Sequence, residues 1–255
     1  MINLTGCSTV NNSSNLDQKS LYAKASKSFH FKDYENASKS FKSFLFETEK
    51  SSKFYKDNKF TAIDYIVEIN LKHSKSPSKN IQFLERVIAK VPLNDSEDDS
   101  VDEWLGVSKK WNEILNSKKD SLKPEEHFSL GEKYYDLGMR KILYPADPSG
   151  NADFYIASRY LTTYVFENDR AKNIGKALFM LGNIKVRTLV DDEYWSENYY
   201  LKEVIRRFPH TKLAQKSYLI LEESIIGGYT GSAGTEIPLS QKEMLIKYKK
   251  MSSIK

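Results

Sequence analysis

Cysteine is all but missing from this chain. Cys7 is the one thiol in 255 residues, so no disulfide can form within the chain and packing must hold the fold. No run of about 18 apolar residues occurs, so no segment is long and apolar enough to cross a bilayer as a helix. Chain breakers are scarce too. With 11 glycines and 7 prolines, the sequence favours long helices over many short strands joined by tight turns. The four histidines, His30, His73, His127 and His210, never stand three or four residues apart, so no helical metal-ligand pair exists. No Gly-x-Ser-x-Gly nucleophile motif occurs. Basic residues exceed acidic ones only slightly, 39 to 34 for a net charge of +5. Lysine alternates with glutamate and aspartate instead of forming the basic stripe of a nucleic-acid binder. The reading expects no cofactor, no metal, no nucleic-acid partner and no enzymatic activity.

What the chain does have is aromatic and aliphatic side chains at helical spacing. Sixteen tyrosines and 13 phenylalanines supply much of the large core material. Beyond residue 18 the apolar period is helical. Leu21, Ala25 and Phe29 form one stripe, and Tyr34, Ala37, Phe41, Phe44 and Leu45 a second, with a break at Phe31-Lys32-Asp33. A third stripe runs from Phe54 to Leu71. Ser76-Pro77-Ser78 opens a fourth, because proline suits the first helical turn, and Val91-Pro92 closes it. Further helices are predicted around Trp104 to Leu115 and over 125–139, 151–166, 171–189, 193–207, 211–226 and 240–251. About eleven helices and no convincing strand result.

Two polar segments punctuate this pattern. Residues 93–103 carry Asp95, Glu97, Asp98, Asp99, Asp102 and Glu103 and read as a solvated acidic linker, since the alternating aspartates and central glycine of a calcium loop are absent. Residues 227–235 are glycine-rich but lack the Gly-Lys-Ser/Thr ending of a phosphate loop. They read as a connector or contact loop. The final segment, with Lys242, Lys247, Lys249, Lys250 and Lys255, is basic, a character suited to anionic lipid or an acidic partner.

At the N-terminus, Leu4-Thr5-Gly6-Cys7 resembles the lipobox of bacterial lipoproteins. That family has a leucine, small residues and then a cysteine that is cut at its amino side and acylated. The resemblance implies lipidation of Cys7 and attachment to the periplasmic face of the outer membrane. If Cys7 is not lipidated, the location is cytoplasmic. Only six residues precede Cys7, whereas a signal peptide has a basic start and an apolar stretch of about 7–15 residues. Either the start codon is placed too late or the chain is trimmed. Ser8 to Gln18, rich in serine and asparagine, reads as a flexible tether.

The helices come in pairs that resemble tetratricopeptide repeats, which have about 34 residues and small residues where two helices cross. Leu130-Gly131, Tyr134-Tyr135 and Leu137-Gly138 fall at that family's Leu-Gly, tyrosine and turn positions, and Met180-Leu181-Gly182 repeats the first. Near the N-terminus Ala25, Phe29, Tyr34, Ala37 and Phe41 fit the small and aromatic positions. Gly131 and Gly182 stand further apart than one repeat, and Tyr144 to Gly150 reads as an insertion between the helices of one pair. Phe208-Pro209-His210-Thr211-Lys212-Leu213-Ala214 is similar to the helix link of periplasmic repeat lipoproteins of the outer-membrane-protein assembly type (BamD-like).

These resemblances imply an all-α, tetratricopeptide-like solenoid of ten or eleven helices. The expected organisation is 1–18 lipobox and tether, 19–92 N-terminal repeats, 93–123 acidic linker and Trp helix, 124–226 C-terminal repeats, and 227–255 glycine-rich loop and basic helix. In that family the first helix of each pair lines a concave groove. Carried over, the groove residues are Tyr22, Phe29 and His30, then Phe128, Glu132, Tyr135 and Asp136, then Phe179, Asn183 and Arg187. Aromatics with a few charges suit an extended peptide or a partner helix. The expected function is that of a lipoprotein scaffold binding a protein segment. The alternative is a component of a periplasmic transport system that encloses a small apolar molecule or lipid.

Overall fold

The structure, a computed structural model, describes residues 12–117, 122–144, 147–167, 170–188, 198–232 and 234–254. Cys7 and the lipobox lie outside them. Among the described residues there are eleven α-helices and one two-residue hairpin. The protein is all-helical, with neighbouring helices packed on one another within each of its units. It forms two compact units, residues 1–112 and 113–255, with the boundary inside the fifth helix.

The first unit holds α1 (Asn12–His30), α2 (Tyr34–Glu47), α3 (Lys53–Glu68), a π-helical turn over Ile69–His73, α4 (Pro77–Lys90) and most of α5 (Asp95–Ser117). α1 packs on both α2 and α3. Its end is built by a left-handed residue, Lys32 at φ 62°. The Asp33 N–H donates to the Ser28 carbonyl and the Lys32 N–H to that of Phe29, each at 2.9 Å, which satisfies carbonyls the helix would leave bare. Asp33 then caps α2, and Ser52 caps α3 by accepting from the Tyr55 N–H at 3.1 Å. The core is aromatic. Phe29, Phe41, Phe44, Tyr55, Trp104 and Trp111 are fully buried. Phe41 stacks on Tyr65 with centroids 4.8 Å apart, and the Tyr55 hydroxyl donates to the Leu45 carbonyl.

Two expectations for this unit need correction. The segment read as a tether is helical from Asn12, and Gln18 within it is buried. Its side chain donates to the Glu49 carbonyl at 2.5 Å and accepts from the Ser52 hydroxyl at 2.6 Å, which ties α1 to the α2–α3 link. The acidic stretch is not a linker either, because α5 starts at Asp95. Asn94 and Glu97 cap it reciprocally. The Glu97 N–H donates to Asn94 Oδ1 at 3.0 Å, and the Asn94 N–H to Glu97 Oε2 at 2.8 Å. The same Glu97 carboxylate pairs with the buried Lys59 of α3. Carboxylates at a helix start are favoured by the helix dipole, so the charge density that suggests a solvated linker instead builds a helix end.

The second unit holds α6 (Pro124–Lys141), a 3₁₀ turn at Pro148–Gly150, α7 (Asn151–Glu167), α8 (Ile174–Arg187), α9 (Tyr199–Arg207), α10 (Lys212–Gly228), the β1/β2 hairpin (Thr230–Gly231, Gly234–Thr235) and α11 (Leu239–Ser252). Each helix packs on the next. In addition α6 packs on α8, α8 on α10 and α9 on α11. Gly131 and Gly182 sit where helices press together. A Cβ on Gly131 would stand 2.6 Å from Leu161 Cγ on α7. One on Gly182 would stand 2.6 Å from Leu201 Cδ2 and 3.1 Å from the Leu201 nitrogen on α9. Between α6 and α7, Asp147 gathers the connection by accepting from the Leu143 N–H, the Ser149 N–H and the Ser149 hydroxyl. Burial opposes its charge, but these three bonds win and hold the carboxyl below its ordinary range.

The α9–α10 link follows the expectation from sequence. α9 ends at Arg207 before Pro209, and the Thr211 hydroxyl accepts from the Ala214 N–H at 3.1 Å. His210 takes a left-handed conformation, φ 61°. Its N–H donates to the Met251 carbonyl at 2.9 Å, and its Nδ1 lies 2.8 Å from the Ser253 carbonyl, which places the proton on Nδ1. The glycine-rich segment differs from the expected loop. Gly227 and Gly228 extend α10, and the rest turns back as a hairpin with the Thr230 and Thr235 hydroxyls 2.8 Å apart.

Candidate partner-binding face

On α6, Glu132, Tyr135 and Met139 recur every three or four residues and so share one helical face. Lys176, Asn183 and Arg187, seven and four residues apart, likewise share one face of α8. These two faces meet. Lys176 Nζ pairs with the Glu132 carboxylate. Asn183 Nδ2 donates to the Tyr135 hydroxyl at 2.5 Å and lies 3.8 Å from Met139 Sδ, while Arg187 Nε donates to Asn183 Oδ1 at 3.1 Å. A chain from Tyr135 through Asn183 to Arg187 therefore bridges two helices that are not consecutive in sequence. Asn183 is buried, Tyr135 and Arg187 are half-buried, and Asp136 beside them is exposed. Burial raises the Tyr135 phenol above its ordinary value, although the Asn183 bond and the Arg187 charge both act against it. The phenol thus stays neutral and can still donate. The arrangement presents a phenol, a guanidinium and a carboxylate at the seam of two helices.

The other residues singled out in the sequence are placed differently. Phe29 and Phe128 are buried, which corrects the expectation that they line an open groove. Phe29 packs against Tyr34, Tyr65 and His73, and Phe128 against Tyr164. Phe179 is partly buried against Leu201 and Val204 and their neighbours, so it also belongs to packing. Tyr22 is half-buried, edge-on to Phe41, Phe44 and Phe54, and burial raises its phenol. His30 is exposed at the end of α1. Phe29 and Phe128 thus go inward, whereas Tyr135, Asn183 and Arg187 reach the seam of α6 and α8.

One feature escaped the sequence reading. A cavity of about 500 Å³ opens at the C-terminal ends of α8 and α10, lined by Lys185, Thr188, Asn198, Ser224, Ile225 and Tyr229 among others. The only signal for it was the glycine-rich stretch beginning at Gly227, whose neighbours Gly228 and Tyr229 reach its wall. Among the described residues no helix is long and apolar enough to cross a membrane, and no group of three or more histidine, cysteine, aspartate or glutamate side chains is placed to hold a metal ion. No protein-family model matches the sequence, and no curated protein or solved structure is detectably similar to it.

Proposed function

We propose that this chain is a non-enzymatic scaffold of tetratricopeptide-like helical repeats that takes a protein segment on the seam of α6 and α8. Lipid attachment at Cys7, on the periplasmic face of a bacterial outer membrane, belongs to the same reading. The observation that carries the proposal is the bridge from Tyr135 through Asn183 to Arg187, which joins the first helices of two successive pairs. Two features support the repeat assignment. Gly131 and Gly182 each meet a leucine on the following helix, and α6, α8 and α10 pack in series as first helices of stacked pairs do. A bound segment is recognised by the Tyr135 hydroxyl, the Arg187 guanidinium and the exposed Asp136 carboxylate, with few side chains left to order on binding.

The test is a peptide-display selection against the full chain, followed by affinity measurement with a Tyr135→Ala/Arg187→Ala variant. Selected peptides should bind the variant at least about tenfold more weakly, a loss of roughly 1.4 kcal/mol or more, while its far-ultraviolet spectrum is preserved. Undiminished binding would remove the seam from the proposal. The rival reading, a small apolar molecule or lipid enclosed for transport, calls for a closed apolar cavity. The cavity beside α8 has lysine, threonine, asparagine and serine in its wall, so it supports that reading less well than the seam supports the first.

A further inference from the structure

The last helix has an outward face that none of the preceding assignments uses. α11 packs through Met244, Leu245, Tyr248 and Met251 against α9 and α10. At 100° per residue the arc opposite those positions is centred on Leu239 and Ile246, two turns apart. They are 71% and 69% exposed. Lys242 and Lys249 form a row along one side of this pair, Lys247 lies on the other, and Lys250 follows Ile246 by one turn. All four lysines are exposed. Glu243 is the single acid on the helix. Just beyond it Ile254 is half exposed.

We propose that this face of α11 docks on a bilayer surface bearing anionic headgroups. Two exposed aliphatic side chains, Leu239 at the start of the helix and Ile246 two turns on, can enter the boundary between headgroups and acyl chains. Lysines on both flanks can then lie along the surface with their ammonium groups among the phosphates. Four lysines against one glutamate give the face the sign that anionic lipid attracts. The same charges argue against a second copy of the chain as occupant, since two such faces would bring like charges together. An acidic peptide would need a groove, and the outward side of α11 is not one. The inference is independent of the α6–α8 seam and of any acyl group on Cys7.

The experiment is vesicle co-sedimentation of the full chain carrying Cys7→Ser, so that no acyl chain contributes. Vesicles of phosphatidylcholine alone are compared with vesicles that also contain phosphatidylglycerol. The protein should sediment with the second and not the first, and added salt should release part of it. Lys242→Gln and Lys249→Gln should each weaken partitioning roughly fivefold. Leu239→Ser/Ile246→Ser should abolish the part of the binding that survives salt. All four positions are exposed, so the helical spectrum should be unchanged. Sedimentation with neither vesicle, equal sedimentation with both, or variants that bind as the parent does would each overturn the proposal.

Discussion

Glycine acts in opposite ways at different positions of this chain. At Gly131 and Gly182 a methyl group would collide with Leu161 and Leu201, and in each case the leucine's backbone nitrogen also stands close, at 3.3 and 3.1 Å. The facing helix, not only a side chain, would have to give way. Gly131→Ala and Gly182→Ala should each lower stability by about 1–3 kcal/mol in urea unfolding, despite alanine's better helix propensity. Gly106, in the body of α5, has nothing within 4 Å of its would-be Cβ. Gly106→Ala should raise stability by about 0.5–1 kcal/mol. If Gly131→Ala and Gly182→Ala raise the unfolding midpoint as Gly106→Ala should, the tight crossings are not real. At this scale the sequence is informative about the glycines, because a small residue amid large apolar ones marks a crossing. It is less so about Phe29, Phe128 and Phe179. An aromatic on a helix looks the same in sequence whether it lines a groove or fills a core, and burial decides between them only once neighbouring helices are in place.

Among the elements, boundaries are set by a few side chains whose effects can be separated. Lys32 adopts a left-handed conformation that glycine takes without steric cost. Lys32→Gly should therefore stabilise the first unit by roughly 0.5–1 kcal/mol, whereas Thr211→Ala, which removes the cap of α10, should cost the second about 1 kcal/mol. Thermal melts of the two variants moving in opposite directions would bear this out, and a gain from Thr211→Ala would contradict it. Proline and capping residues made most helix ends legible. Pro77, Pro92, Pro124 and Pro209 all stand at the boundaries they suggest. The start of α5 carries a capping signature in the sequence, Asn94-Asp95-Ser96-Glu97. Six acids in a short run suit a solvated linker as well as the dipole of a helix start, so composition alone does not separate the two. The hairpin after α10 gave no period to read, since its strands are two residues long.

Across the whole molecule, buried tyrosines dominate the response to alkali. Burial, with the Glu97 charge adding to it, raises the Tyr55 phenol to about 12, and burial likewise raises Tyr22, Tyr134, Tyr135, Tyr164 and Tyr218 above the ordinary value of 10. Between the unfolded and folded values the folded chain holds protons that the unfolded chain has lost. Stability is therefore complete below about pH 10 and falls as pH rises beyond it. Asp147 works at the other extreme. Its folded value lies below 3.8, so its contribution is present above that pH and is lost as pH falls below it. Phenolate absorbance should accordingly rise in two stages, the second coinciding with loss of helix. A single early stage that includes every tyrosine would show these rings to be exposed. That the chain is all-helical was legible at this scale, because the period, the scarcity of breakers and the lack of strand signals agree. Which helix faces meet is less legible, since the seam of α6 and α8 joins residues far apart in the chain.

His210 has a consequence of its own. Terminal helices ordinarily fray from the free end, so their last amides exchange with solvent first. Here a residue of the α9–α10 turn grips the carbonyls of Met251 and Ser253, and the carboxyl end of α11 is fastened more firmly than its beginning after Pro238. His210→Ala removes the Nδ1 bond to Ser253 while keeping the backbone N–H, and should speed deuterium entry into the closing turn of α11 relative to the parent.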